Sequence, residues 1–194
     1  MQTNILWTGR EYHSIENCLV TTDQNGADIR SIIVGTYQSK IYRVEYQIKT
    51  NARWETVFAG IKSRHSNNEE YILLEGDGKG NWTRNGESIP AFAGCVDVDI
   101  PLTPFTNTLP VKRLDTEIGK EQQIKVLYLD LLEEQIKPVH QKYIRLSDTV
   151  YHYENVPNDF EADITVDDFG LVVDYPELFV RTTIQQTNYQ RMLF

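Results

Sequence analysis

The sequence is poor in the residues that most often carry metal or catalytic chemistry. It has only two cysteines and four histidines among 194 residues. The histidines are widely separated: His13, His65, His140 and His152. They have no paired metal-ligand spacing with one another or with Cys18 and Cys95, which we expect to be free thiols. There is no glycine-rich phosphate loop and no Gly-x-Ser-x-Gly elbow. We therefore predict no cofactor, no metal and no marked catalytic residue, which favours binding over catalysis.

Runs of basic residues and long apolar runs are also missing. Acidic residues outnumber basic ones by 28 to 19, which gives a formal net charge of -9. No basic cluster exceeds two residues, so a phosphate backbone would be repelled and nucleic acid is excluded as a partner. No apolar run approaches the length of a transmembrane segment. The N-terminus has no export signal, which predicts a cytoplasmic protein. Nothing in the sequence indicates the oligomeric state.

The main positive signal is alternation of apolar and polar residues with period two. Tyr42, Val44, Tyr46 and Ile48 alternate with polar residues, as in a half-buried strand. Similar β-rich runs occur at 29–37, 54–61, 71–74, 160–166 and 178–184. The pairs Asn25-Gly26 and Asn85-Gly86 are typical of type I′ hairpin turns. We predict a single, mainly antiparallel β domain over residues 1–194, with a loose C-terminal tail at 185–194.

One apolar stretch, 122–135, fits two structures. Ile124, Leu127, Tyr128 and Leu131 have helical spacing, yet alternate residues of the same stretch could form the two faces of a buried strand. Periodicity alone gives helix and strand equal weight.

The segment 94–110 contains the best candidates for chemistry. Asp97 and Asp99 alternate with apolar residues, so in a strand their carboxylates leave the same face, about 6.5–7 Å apart. They could form an acid/base pair or metal site, or lie on a solvated face, or accept hydrogen bonds from backbone N–H groups of the following loop. The three prolines that follow predict a long, stiff loop.

Aromatic and guanidinium side chains are candidates for ligand contacts. Trp7, Trp54 and Trp82 could anchor the core or line a pocket, and Trp82 follows a glycine-rich turn. Arg113 is one of several arginines that could contact an oxygen-rich headgroup, although most arginines lie on protein surfaces.

The stretch 94–114, GCVDVDIPLTPFTNTLPVKRL, resembles a segment of the bacterial family named putative glycolipid-binding. Other matching motifs occur in the same order: Tyr42-Arg43-Val44, Trp54-Glu55-Thr56, Gly78-x-Gly80-x-Trp82, Gln141-Lys142-Tyr143, Phe160-Glu161-Ala162-Asp163 and a motif from Val166 to Pro176. The resemblance extends from about Trp7 to Arg181, nearly the whole chain.

The resemblance implies a strongly curved antiparallel sheet, a half-barrel or open barrel with few or no helices, and a strand at 122–135. It also implies a lipid or glycolipid as ligand. We place the ligand on the concave face, with eight candidate contacts: Tyr42, Tyr46, Trp54, Trp82, Asp97, Asp99, Asn107 and Arg113. Two alternatives stay open, a protein-interaction scaffold and a hydrolase of sugar or lipid conjugates that uses Asp97 and Asp99.

Overall fold

The computed structural model describes residues 1–65, 68–114 and 116–187. In these residues one sheet of fifteen strands curls strongly without closing, which confirms the predicted curved, mainly antiparallel sheet. The strands are β1 (Gln2–Gly9), β2 (Ser14–Asp23), β3 (Gly26–Tyr37), β4 (Lys40–Asn51), β5 (Thr56–His65), β6 (Asn68–Gly76), β7 (Trp82–Arg84), β8 (Glu87–Ser88), β9 (Asp97–Asp99), β10 (Glu121–Asp130), β11 (Gln135–Arg145), β12 (Val150–Val156), β13 (Glu161–Val166), β14 (Val172–Tyr175) and β15 (Phe179–Thr187).

The sheet consists of two meanders that meet in the middle. Strands β1 to β8 pair in sequence order, as do β9 to β15, and β1 pairs antiparallel with β15 to join the two series. The ambiguous stretch 122–135 lies mostly in β10, which pairs with β11 along its whole length, so the strand alternative is correct. Consecutive hairpins bring residues distant in sequence onto one curled surface.

The α-helix α1 (Phe105–Leu114) connects β9 to β10. These two strands are parallel, and parallel neighbours need a crossover connection, which the helix supplies. The predicted stiff loop is therefore wrong at this point. The Thr103 hydroxyl accepts a hydrogen bond from the Phe105 N–H, and residues 105–111 are buried, so capping and burial stabilise a helix that contains Pro110.

Side chains fill most of the space inside the curl. One buried cluster includes Trp7, whose indole N–H donates to the Val172 carbonyl, and extends through the first meander, β9, α1 and β10. A second cluster is rich in tyrosine and lies under β11 to β15. Tyr12 packs against both clusters, so it stands where the two halves of the interior meet.

The turns only partly follow the sequence prediction. Asn85 and Gly86 both have positive φ and form the predicted two-residue turn between β7 and β8. At the other predicted turn, Asp23 pairs with Gly26, so Gly26 is the first residue of β3 instead of a turn residue. A Cβ there would lie 2.1 Å from the Thr50 carbonyl oxygen, which explains the glycine. Of the predicted tail 185–194, residues 185–187 belong to β15 and the remainder lies outside the described residues.

Candidate functional site

A cleft of about 250 Å³ opens between the second meander and the turn after β1. Six aromatic rings line it: Tyr12, Tyr128, Tyr153, Phe160, Tyr175 and Phe179. We call this the aromatic cleft. The rings come from distant parts of the chain. They lie in β10, β12, β14 and β15, in the turn between β1 and β2, and in the turn between β12 and β13.

Five of the six rings, all except Tyr128, form a connected wall. The centroid of Tyr175 lies 6.2 Å from that of Tyr153, 6.1 Å from that of Phe160 and 6.3 Å from that of Phe179. Tyr12 continues the wall, with its centroid 6.1 Å from Phe179. Such edge and tilted contacts stabilise aromatic clusters, so the wall is held in place before any ligand arrives.

Asp99 and Asn107 supply polar groups to the cleft lining. The Asp99 carboxylate accepts hydrogen bonds from Thr106 Oγ1 at 3.0 Å and from Gln141 Nε2 at 2.6 Å. Asn107 Oδ1 accepts a hydrogen bond from the Tyr143 hydroxyl at 2.8 Å. Burial raises the pKa of Asp99, and the hydrogen bonds from Thr106 and Gln141 oppose that rise. Two of the eight residues predicted from the sequence thus meet in the cleft.

Asp97 and Arg113 lie together, but they do not line the aromatic cleft. Arg113 Nη2 is 2.6 Å from Asp97 Oδ2, and the side chain of Asp97 is only 1% exposed. Burial raises the pKa of Asp97, against the effect of the Arg113 guanidinium. The carboxylates of Asp97 and Asp99 both contact α1, as side chains on one strand face should. Their donors are side chains, however, and not the backbone N–H groups considered from the sequence.

Tyr42 and Tyr46 belong to the packed interior of the first meander. Each is at most 3% exposed. The Tyr46 hydroxyl donates a hydrogen bond to Glu16 Oε1 at 2.7 Å. The hydroxyls of Ser31 and Thr103 donate to the same oxygen. No partner of Glu16 Oε2 is present among the described residues. Burial raises the pKa of Glu16 to about 7.

The two candidate tryptophans occupy separate places. Trp82 is buried, and its indole N–H donates to the Cys95 carbonyl at 2.7 Å. Trp54 is half-buried in a different hollow, where Lys112 Nζ lies 5.4 Å from its ring centroid. Neither tryptophan lines the aromatic cleft.

Sequence reasoning missed the six rings of the cleft. In the sequence the tyrosines of the cleft are typical only of strands, and nothing in the spacing indicates that Tyr12 packs against Phe179. Only the pairing of β1 with β15 brings the first turn of the chain to the last strands.

Among the described residues, His152, Glu154 and Glu161 place potential metal-ligand atoms within 4.8 Å of one another. The sequence did not predict this group because the residues come from adjacent strands. Protein groups outside this group already contact all three members, and Glu161 Oε2 accepts a hydrogen bond from Asn158 Nδ2 at 2.9 Å. Lys142 Nζ is 2.8 Å from Glu154 Oε2, and His152 Nδ1 is 2.7 Å from Asp163 Oδ1. These contacts account for the group as part of a surface ion-pair network, which does not require a metal.

Comparison with known proteins identifies the family. The family model described as "Putative glycolipid-binding" matches residues 4–181. The chain belongs to this family. The crystal structure of a DUF1089 family protein from Pseudomonas aeruginosa is similar, with 32% sequence identity and a TM-score of 0.77, over 86% of this chain and 91% of that chain. No curated protein matches the chain.

Two segments singled out in the sequence, 78–82 and 94–114, contact each other. The Gly94 N–H donates to the Gly80 carbonyl at 2.9 Å, next to the bond between Trp82 and Cys95. The remainder of the motif at 94–114 includes β9 and all of α1, with the ion pair of Asp97 and Arg113. Most of this segment therefore contributes to the stability of the crossover from β9 to β10. Across the described residues, no helix has both the length and the apolar character needed to cross a membrane.

Proposed function

We propose that this member of the glycolipid-binding family binds a lipid-like amphiphile, without catalysis, and holds its headgroup in the aromatic cleft. The observation that carries the proposal is one cleft lined by six aromatic rings together with the polar groups of Asp99 and Asn107. Binding sites for small molecules combine apolar, aromatic walls with a few well-placed polar groups. The family name supports a ligand of the glycolipid type.

The size of the cleft limits what it can enclose. Ligand pockets of drug-sized molecules measure about 300–1,000 Å³, and the cleft offers about 250 Å³. It can take one headgroup of the size of a single sugar, whose C–H face would pack on the rings. Acyl chains would stay outside the cleft. No protein group among the described residues accepts a hydrogen bond from Asn107 Nδ2, which leaves that donor for a ligand hydroxyl.

The contacts of Asp97 and Asp99 do not support a carboxylate-dependent hydrolase. Asp97 is held by Arg113 away from the cleft, and both oxygens of Asp99 accept hydrogen bonds from protein side chains. A retaining or inverting pair needs two carboxyl groups that both reach the substrate. Only one member of the proposed pair lines the cleft.

The decisive experiment is native mass spectrometry of the protein purified from its own host, followed by lipid extraction and thermal-shift measurements with glycolipids. We expect a bound amphiphile and a rise in Tm. Phe160→Ala and Tyr128→Ala should each weaken binding by about ten-fold, since each ring contributes on the order of 1 kcal/mol. Tyr71→Ala, which removes a 59% exposed ring outside the cleft, is the matched control. The proposal fails if no adduct and no Tm shift occur, or if all three variants bind equally.

A protein-interaction scaffold is a second candidate, favoured by a different surface. On β3 and β6, the sheet face opposite the core exposes Ile32, Tyr71 and Leu73, at 44%, 59% and 47%. They line an open groove of about 710 Å³. Contiguous exposed apolar residues often mark interaction surfaces. If this function is correct, Leu73→Glu should abolish binding of a purified partner and Phe160→Ala should not.

A further inference from the structure

The charged side chains that line the aromatic cleft all have one sign. Glu11 and Asp99 line the cleft itself. An adjoining hollow of about 90 Å³ shares Tyr12, Pro101 and Tyr128 with the cleft and adds two more acids, Asp130 and Glu133. In the parts of the lining that the structure describes, neither the cleft nor the hollow includes lysine, arginine or histidine.

Two basic groups lie near the cleft but do not line it. Lys137 Nζ lies 5.8 Å from the ring centroid of Tyr128, without lining the cleft. Arg10, next to Glu11 in the chain, pairs with Asp174 at 2.9 Å. No basic side chain in the described part of the molecule therefore offers a positive charge to the interior of the cleft.

The tyrosines of the cleft reflect the same negative potential. Burial raises the pKa of Tyr153 and of Tyr128, and the Asp99 carboxylate raises both further. Burial and then Glu11 raise the pKa of Tyr12. These shifts agree with the inventory of charges, because a carboxylate disfavours formation of a second anion nearby.

Both the aromatic rings and the carboxylates of this lining would stabilise a bound cation. An ammonium group is attracted to the faces of aromatic rings, and more strongly when it is desolvated. It also gains from carboxylates at the edge of the same site. A phosphate, sulfate or carboxylate headgroup would lose its water without meeting a cationic partner, which is costly. A neutral sugar can donate hydroxyl hydrogen bonds to these carboxylates, but it lacks the positive charge that an ammonium group adds.

We infer that the aromatic cleft selects a positively charged headgroup, a protonated amine or a quaternary ammonium, over neutral and anionic ones. The inference rests on the proposed function and specifies its ligand class. An amino sugar and a choline-type headgroup share this chemistry. The overall charge of -9 would add long-range attraction for such ligands.

The test uses ligand pairs that differ mainly in charge. Calorimetric titration of the full-length protein would compare choline with its uncharged carbon analogue 3,3-dimethylbutanol, and glucosamine with glucose and glucuronic acid. We expect the charged member of at least one pair to bind about ten-fold more tightly than its neutral analogue. The pair that shows the larger ratio identifies the headgroup as choline-like or as an amino sugar. Glucuronic acid should bind most weakly.

Two variants remove the charge of an acid and keep an acceptor oxygen, which Asp130 needs because its Oδ1 accepts hydrogen bonds from the Leu132 and Glu133 N–H groups. Glu11→Gln and Asp130→Asn should each weaken binding of the cation several-fold and reduce its dependence on salt, with little effect on the neutral analogue. Asp163→Asn, outside the cleft, is the control. If neutral and cationic ligands bind equally, and Phe160→Ala weakens both, the inference is wrong and the proposed function stands. If none of these ligands binds in the cleft and no host amphiphile copurifies, both are wrong.

Discussion

Arg113 and Asp97 form a forked ion pair that fastens α1 to the edge strand β9. Arg113 Nη2 lies 2.6 Å from Asp97 Oδ2, and Arg113 Nε lies 3.1 Å from Asp97 Oδ1. The Asp97 side chain is 1% exposed and that of Arg113 is 18% exposed. The pair therefore stabilises the parallel crossover at a carboxylate that has almost no access to water.

Removing one partner of this pair should be strongly destabilising. Arg113→Ala leaves a buried carboxylate without its cation, and breaking buried pairs in this way costs about 3–5 kcal/mol in the free energy of unfolding. Arg113→Lys keeps the charge but loses the fork, so its cost should be smaller. Urea denaturation measures both.

The control is a similar pair on the surface. Arg43 pairs with Glu45 at 3.1 Å, with both side chains well exposed. Arg43→Ala should change the free energy of unfolding by less than about 1 kcal/mol. Equal effects of Arg43→Ala and Arg113→Ala would contradict the role of the buried pair.

Glu16 should make stability depend on pH. Burial raises the pKa of Glu16 to about 7, from an ordinary value of 4.5. Between these two pH values the folded state binds more protons than the unfolded state, so the free energy of unfolding falls as pH rises and levels off above about 7. The shift corresponds to a loss of roughly 3 kcal/mol.

The measurement is the difference between the wild type and Glu16→Gln, which cancels the titration of other groups. Glutamine keeps an acceptor oxygen for Tyr46, Ser31 and Thr103 but cannot ionise. The stability of Glu16→Gln relative to wild type should rise between pH 4.5 and 7. A flat difference for Glu16→Gln would show that Glu16 titrates normally in the folded protein.

The strands could be predicted from the sequence because they depend on local alternation. Apolar and polar residues alternate from Tyr42 to Ile48, which lie in β4. Asn85 and Gly86 form the predicted turn between β7 and β8. The type of structure at 122–135 could not be obtained from periodicity, because a strand buried on both faces has no polar side to mark it. The family resemblance settled that stretch correctly.

Helix α1 was missed because its stability comes from tertiary contacts. Its sequence, FTNTLPVKRL, has few good helix formers and contains Pro110. A local signal was present, since Thr103 followed by Pro104 is typical of a helix N-terminus. The aromatic cleft had no local signal at all. It depends on the meeting of β1 with β15, and only Asp99 and Asn107 were predicted among its residues.

Trp82 should matter more to stability than Trp54, although both were predicted as ligand contacts. Trp82→Phe removes the donor to the buried Cys95 carbonyl, which costs about 1–3 kcal/mol. Trp54→Phe keeps a half-buried ring beside Lys112 and should cost less than about 1 kcal/mol. Thermal unfolding of the two variants gives the comparison. A larger loss for Trp54→Phe would contradict the assignment of Trp82 to the core.

A position can require glycine because its φ is positive or because there is no space for a Cβ. Gly80 meets both conditions, and Gly86 meets only the first. Both have positive φ, at 87° and 79°, so alanine at either position is strained by about 1 kcal/mol. A Cβ at Gly80 would also lie 2.8 Å from the Gly94 Cα, whereas nothing lies within 4 Å of a Cβ at Gly86. Gly86→Ala should therefore cost only the strain. Gly80→Ala should cost at least about 1–3 kcal/mol more, because backbone that carries the hydrogen bond between Gly94 and Gly80 must move. Urea denaturation of both variants measures the difference, and equal losses would mean that the contact between the two glycines does not constrain the fold.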